Sequence, residues 1–578
     1  MKHQARVLAP QYLSVFILIV LCLGQINLTL SISAQSPSPY DLIIRQGKII
    51  DGTGNPWFVG DVAVHEDRIV AVARKINSPA KTTIPARGLV VAPGFIDIHS
   101  HSDFTIFENG HAQSKIRQGV TTDIIGEGFS AAPYKGKLTP RPITVKGERV
   151  YISTLHDYFN ALDQAGSSIN IASYVGLGNL WQSVMGHSFD TPSMAELDQM
   201  KTLLAEAMDH GALGLSSQLM MPPGLLATTD QIVALCEVVR QYGGIYSSHI
   251  RNEGLGVFEA VNQAIEIGER AHVPVDIIHL KIADQQYWGR MNEIIALIEA
   301  ARRRGVNVQA NVYPYTRGNN NLSSIIPPWA HEGGREQMLQ RLQDPATRQR
   351  LKHDIRNGVE GWYNHYTAVG GDWNRMLVSA SNRYRGMTMQ EVMTHRTSGK
   401  NPRPDLLDEL FDLLIEMDGS VSTVYAHHTE PDMNLALRQP WCSVGSDGSA
   451  LATDGVLRRG NPHPRNFGTF PRVLGRYVRE QPLLALEEAI RKMTSLNAAK
   501  IGIHDRGLLK QGLFADITIF DPDTIKDQAD FTDPFHYNQG IHYVIVNGQI
   551  VLKGEQHTGA KPGRALRSKL NRAKTPRR

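Results

Sequence analysis

The sequence predicts an α/β fold: a (β/α)8 TIM-like barrel, a small β-sandwich domain formed by both chain ends, and a helical insertion before the last barrel strand. Three observations carry this. Eight short apolar strands alternate with amphipathic helical stretches through the middle of the chain, the pattern of a parallel sheet buried on both faces. The segments at either end read instead as short strands and turns. One connection, at about 318–422, is too long and too rich in helical pattern for a plain loop.

The bulk composition agrees. A chain of 578 residues exceeds one ordinary domain, although a barrel of about 250 residues is a single unit. With 42% hydrophobic and 20% charged residues it belongs to the folded globular class. A net charge of +4, from 60 basic and 56 acidic residues, is too balanced to suggest a nucleic-acid partner.

The elements follow in order. In residues 1–34, Lys2 and Arg6 precede the apolar run "YLSVFILIVLCLG", and "SISAQ" offers cleavage after Ala34. That is the order of a signal peptide, and it predicts an exported protein, periplasmic or secreted. An uncleaved anchor is the alternative, against which the run is too short to span comfortably. Cys22 follows Leu21 and not a small residue, which counts against a lipoprotein. Cleavage leaves Cys236 and Cys442, which make no disulfide framework. Cys236 lies in a helical run and Cys442 opens the last barrel strand, so both read as core.

Residues 40–92 and 508–556 form the small β-domain. "IIRQGKII" and "VIVNGQIV" read as nearly identical hairpins, each turning at a glycine. Such hairpins are seldom stable alone, so the two ends are expected to meet, with the barrel of residues 93–507 inserted between them. Residues 557–578 form a basic tail, read as solvated and disordered.

In a barrel of this kind the chemistry collects where strands run into the following loops. His99 and His101 end the first strand in "GFIDIHSHSDF", and residues two apart share a face, with Asp103 next in the series. Glu127 ends the second strand, His249 the fifth, His279 the sixth and Asp447 the eighth. Singly, each reads as a surface imidazole, a helix cap or a turn aspartate. Together on one rim they satisfy one another best around a divalent metal. Four histidines with carboxylates and no required thiolate suit Zn2+, ahead of manganese, iron or cobalt. The pair His427–His428, where the insertion returns, reads as a surface pair. Arg251, Asn252 and Glu253 follow a ligand and are candidates to orient it.

"GFIDIHSHSDF", "SHIRNEG", "HLK", "YPY", "SDG" and "HPRNFGTFPRVLG", in that order, resemble the amidohydrolase superfamily and, within it, the D-aminoacylases (N-acyl-D-amino-acid deacylases). The likeness runs from about Asp41 to Leu566. It implies one metal at His99, His101 and Asp447 and a second at Glu127, His249 and His279. It also implies that Lys281, Tyr313 and Arg465 hold a substrate α-carboxylate. The sequence departs from the family in two places. Glu127, in "GEGF", stands where a cysteine is usual, and Met221 stands where a tyrosine commonly donates to the substrate carbonyl.

The implied reaction is hydrolysis of the amide bond of N-acyl-D-amino acids or related dipeptides. A metal lowers the pKa of water and polarises the carbonyl, while Asp447 takes the proton and passes it to the amine. Cyclic-amide hydrolysis of the dihydroorotase or hydantoinase kind is the alternative within enzymes. It usually needs a lysine near the fourth strand, and "GALGLSSQLMMPPG" has none. A non-catalytic exported binding protein on the same scaffold is the third reading.

Overall fold

The computed structural model describes residues 40–380 and 383–568. The segment read as a signal peptide and the last ten residues of the basic tail lie outside them.

Eight parallel strands ring the centre: Phe95–Asp97, Val120–Ile125, Asn170–Ser173, Gly214–Gln218, Ile245–His249, Val275–Ile277, Val308–Val312 and Cys442–Val444. The first three pair with one another, and the fourth to eighth pair in order. The third strand continues as Val175–Gly176 and switches partner to Leu215 and Ser216 of the fourth. Between eighth and first, the Asp447 amide donates to His99 O at 2.8 Å and the His101 amide to Gly448 O at 3.0 Å. The ring closes there, and the link itself holds three residues of the predicted site. Val120–Ile125 is buried along its whole length, as a strand between barrel core and helices must be.

The helices around the ring begin at side-chain caps that are legible in the sequence. Ser193 and Glu196 form a capping box for Met194–Asp209, as do Thr228 and Gln231 for Thr229–Gln241. Cys236 is buried in the latter helix and Cys442 in the eighth strand, and both thiols are free.

The chain ends share one nine-stranded sheet, joined where Val90–Pro93 pairs antiparallel with Ile517–Phe520. The sheet curls until its edge strand Arg68–Ala73 meets residues 512–515, with the Ile69 amide donating to Leu513 O at 2.9 Å. One sheet thus supplies both layers around Ile44, Val62, Val91, Ile517 and Ile545. The two presumed hairpins differ. Ile541–Val546 and Gln549–Lys553 do form one, turning at Asn547 (φ 46°) and Gly548 (φ 79°). Leu42–Ile49 is instead a single strand with a bulge between Ile44 and Gly47. Gly47 is needed there for close approach, because a Cβ would lie 2.4 Å from Val91 Cγ2.

The insertion carries helices, chiefly Arg335–Gln343, Pro345–Asn357, Met389–Thr397 and Leu406–Glu416, over a core of its own. It also contains a three-stranded sheet that the helical reading did not anticipate. Ser422–Tyr425 lies at its centre between Gly318–Asn321 and Met376–Val378. The start of the basic tail is not disordered. Gly563 donates to Ser167 O, Leu566 to Ile171 O and Ser568 to Gly211 O, at 2.7–2.8 Å. Arg567 pairs with Asp163 of the barrel helix Leu155–Ala165 at 3.0 Å and Arg564 with Asp67 of the β-domain at 2.8 Å.

Candidate metal centre

The six residues singled out at five strand ends converge. One group comprises His99, His101, Glu127 and Asp447, and another Glu127, His249 and His279; in each, one donor atom per residue lies within 4.8 Å of the others. Glu127 belongs to both. Its Oε2 is 3.1 Å from His99 Nε2 and 3.2 Å from His101 Nε2, while its Oε1 is 2.9 Å from His249 Nδ1. Asp447 Oδ1 is 3.0 Å from His101 Nε2 and 3.7 Å from His99 Nε2.

Local chemistry places each donor. Gly126 (φ 93°) and Gly128 (φ 61°) turn the chain on either side of Glu127. The Ser216 hydroxyl, on the fourth strand, donates to Gly126 O and accepts from the Gly128 amide. His279 and Asp447 both have positive φ, 38° and 51°, unusual for non-glycine residues and a mark of sites where function overrides local preference. Asn311 holds the first of these turns by accepting from the His279 amide at 3.0 Å. Beneath the second, fully buried Lys115 bonds Asp97 at 2.7 Å and both Ser446 Oγ and Gly448 O at 2.9 Å. Gly445 lets the eighth strand pass close to the first, since a Cβ there would press on His99 Cβ at 3.0 Å.

The electrostatics are those of a cation site. Burial opposes ionisation of Glu127, yet the imidazoles of His99, His101 and His249 hold its carboxyl well below the usual range. Asp447 is likewise depressed: burial opposes it, and the Arg465 charge with His99 and His101 outweighs burial. Against its own desolvation, His101 is raised to about 10 by Asp447 and Glu127. Two buried imidazole nitrogens, His99 Nδ1 and His249 Nε2, have no hydrogen-bond partner. Two ionised carboxylates among imidazoles with orphan nitrogens are a donor set that fits a divalent metal.

The residues expected at the substrate divide. Arg465 is buried with Nη1 2.7 Å from Asp447 Oδ2, its Nε without a partner, and its guanidinium 4.8 Å from the centre of the Tyr313 ring. Lys281 is engaged: its Nζ lies 2.6 Å from Glu253 Oε1 and 2.8 Å from His279 Nδ1. Glu253, one of the three residues expected to orient a ligand, stands 3.0 Å from His279 Nδ1 and so orients that ring. Arg251 turns away to Leu225 O and Ala227 O, and Asn252 caps its own loop. Asp103 does not join the ligands, and burial raises its carboxyl to about 6.

Met221 packs partly exposed beside Met220, Ala283, Tyr363 and Ala368, and Met220 is the methionine that lines the inner cavity. One expectation, that of the histidine pair, is corrected. His427 and His428 are not a surface pair but 3% and 7% exposed. They follow the insertion strand Ser422–Tyr425, which covers the barrel mouth and buries them. Outside that cavity a cleft of about 440 Å³ opens from His101, Glu127 and Asp447 past Asn319, Ser379, Ser422 and Arg459.

The amidohydrolase family model matches residues 82–552, most of the chain. The chain belongs to this family. Among its fellow amidohydrolases, the D-aminoacylase of Alcaligenes xylosoxydans xylosoxydans is 34% identical over 537 residues, covering 92% of this chain and 99% of that relative. The structure of N-acyl-D-glutamate deacylase from Bordetella bronchiseptica, complexed with zinc and a phosphonate mimic of the tetrahedral intermediate, superposes with a TM-score of 0.75 at 31% identity. It covers 92% of this chain and all of that one. A D-aminoacylase structure examined for its binuclear metal centre, with one-metal activation and second-metal attenuation, superposes equally well at 32% identity, covering 91% of this chain and all of that one. This amidohydrolase is a barrel enzyme with a small β-domain, a hydrolase of carbon–nitrogen bonds other than peptide bonds.

Proposed function

We propose that this chain is a metal-dependent deacylase that hydrolyses the amide bond of N-acyl-D-amino acids or related dipeptides. The observation that carries the reading is Glu127. One carboxylate oxygen faces His99 and His101 and the other faces His249, so it bridges the two ligand groups as the family's cysteine would. His99, His101 and Asp447 would hold one zinc position and Glu127, His249 and His279 the other, for one or two ions per chain. When bound there, a divalent metal supplies an acidified water and an electrophile for the carbonyl.

The chain's own residues do the rest. Asp447 accepts a proton at a carboxylate oxygen and returns it to the departing amine nitrogen. Arg465, stacked over Tyr313 with Nε free, receives the substrate α-carboxylate. Lys281, anchored by Glu253 at 2.6 Å, adds a second positive charge to that end of the cleft. Glu253 fixes the His279 ring. The fourth strand, Gly214–Gln218, offers no lysine to bridge metals, which opposes a cyclic-amide hydrolase.

We further propose export with removal of residues 1–34. No described helix is long and apolar enough to cross a membrane. The test of function is metal analysis followed by assay against N-acetyl-D- and N-acetyl-L-amino acids. Zinc content of one or two ions per chain and turnover confined to the D series are expected. A fully metallated protein that hydrolyses no N-acyl-D-amino acid would overturn the reading.

A further inference from the structure

The inner cavity, about 30 Å³ in volume, is walled by ligands His249, His279 and Asp447 on one side and by Gly318, His365 and His427 of the insertion on the other. It has room for one or two water-sized groups. The imidazole of His427 presents a defined edge to it, set by a chain of hydrogen bonds. His428 Nε2 lies 2.8 Å from Tyr315 O, a carbonyl that can only accept, so His428 carries its proton on Nε2. His428 is neutral, since burial and the Lys281 charge lower its pKa to about 3. Its Nδ1 is therefore an acceptor. His427 Nδ1, 3.0 Å away, must be the donor to it.

Burial and the neighbouring His428 also keep His427 neutral. Its Nε2 is then a bare lone pair, and among the described residues no donor meets it. Gly318 keeps that edge open, because a Cβ there would lie 2.8 Å from both His427 Cε1 and Nε2. In the same wall, His365 Nδ1 is buried without a partner, a second sign that a polar group belongs there.

We propose that this cavity is a side-chain pocket selecting N-acyl-D-amino acids whose side chain carries a neutral hydrogen-bond donor, a hydroxyl or carboxamide, read by His427 Nε2. The inference rests on the deacylase reading, which puts the scissile bond at the metal ligands and the α-carboxylate at Arg465. What remains of the amino acid then faces the insertion. A carboxylate side chain is disfavoured. It would meet a lone pair, and the nearby cations are taken up elsewhere, Arg465 by the substrate α-carboxylate and Lys281 by Glu253 at 2.6 Å. An aliphatic side chain would strip water from Nε2 and return nothing. His428 is a positioning residue that fixes the tautomer and does not touch substrate.

The test is kcat/KM of the zinc-loaded full chain for N-acetyl-D-serine, -asparagine and -glutamine against N-acetyl-D-glutamate and -methionine. The donor-bearing group should lead by roughly 10- to 100-fold. His427→Phe should erase that ratio, His428→Phe should reduce it, and His427→Gln should restore part of it through its amide oxygen. A purely structural role would lower every substrate alike. A uniform loss in His427→Phe overturns the proposal, as does a wild-type preference for glutamate or methionine, which needs no variant to fold. Absence of turnover across the panel overturns the deacylase reading and this proposal with it. Turnover with the wrong preference overturns this proposal alone.

Discussion

Replacing Asp447 by asparagine tests the proton transfer while leaving the size of the side chain and one of its oxygens in place. Asp447 sits at φ 51°, where a β-branched or apolar side chain is strained and asparagine is tolerated nearly as well as aspartate. Asp447 offers one oxygen to Arg465 at 2.7 Å and the other to His101 Nε2 at 3.0 Å; the new amide keeps a single oxygen, so one of these two contacts is lost. Shape and the closing hydrogen bond from the Asp447 amide to His99 O survive, because the latter uses backbone alone. What is lost is a basic oxygen and one negative charge beside a buried guanidinium. General acid–base groups contribute about 10²–10⁴-fold, or about 2.7–5.4 kcal/mol of barrier. The assay is kcat on the best N-acetyl-D-amino acid, with zinc content and the thermal transition measured on the same preparation. A fall in kcat of that size, with a folded transition and at least one zinc retained, is expected. Turnover within a few-fold of the parent would refute the role, and Glu127 would be the next proton carrier to test.

Three further outcomes follow from the same geometry. Glu127→Ala removes the one carboxylate shared by both ligand groups, so metal content and activity should fall together, and full zinc content with normal turnover would count against a bridging ligand. Lys115→Met leaves Asp97 buried without its cation and should cost about 3–5 kcal/mol in denaturant unfolding; an unchanged midpoint would show that the pair under the Asp447 turn is dispensable. Zinc must displace the proton that Asp447 and Glu127 hold on His101. Because that pKa is raised to about 10, affinity should strengthen up to about tenfold per unit as pH rises toward it, with proton release visible by calorimetry in two buffers. Flat affinity between about pH 6 and 9 would contradict it. Mass measurement of native protein should find a start near Gln35, and an intact Met1 in the purified protein would refute cleavage.

The periodic part of this protein is legible along the chain. Buried strands read as apolar runs, helices as amphipathic stretches behind Ser193 and Thr228, and candidate ligands as the polar residues that interrupt five of the strand ends. Those signals are local, since strand length, capping and alternation depend on neighbours in the chain. The ligand rim was legible because one architecture places all strand ends on one face. Only the tertiary structure decided the remainder. Glycine at 47 looks the same in a turn as in a close approach, and the difference lies in Val91, far along the chain. The basic tail looks solvated until Ser167, Ile171 and Gly211 supply carbonyls to its amides. His427 and His428 look like surface residues because their burial comes from the insertion folding over the barrel mouth. Lys281 looks free until Glu253, on a different loop, lies 2.6 Å away. Each depends on atoms brought together by long-range packing, and desolvation, tautomer and ion pairing follow from those atoms and not from spacing along the chain.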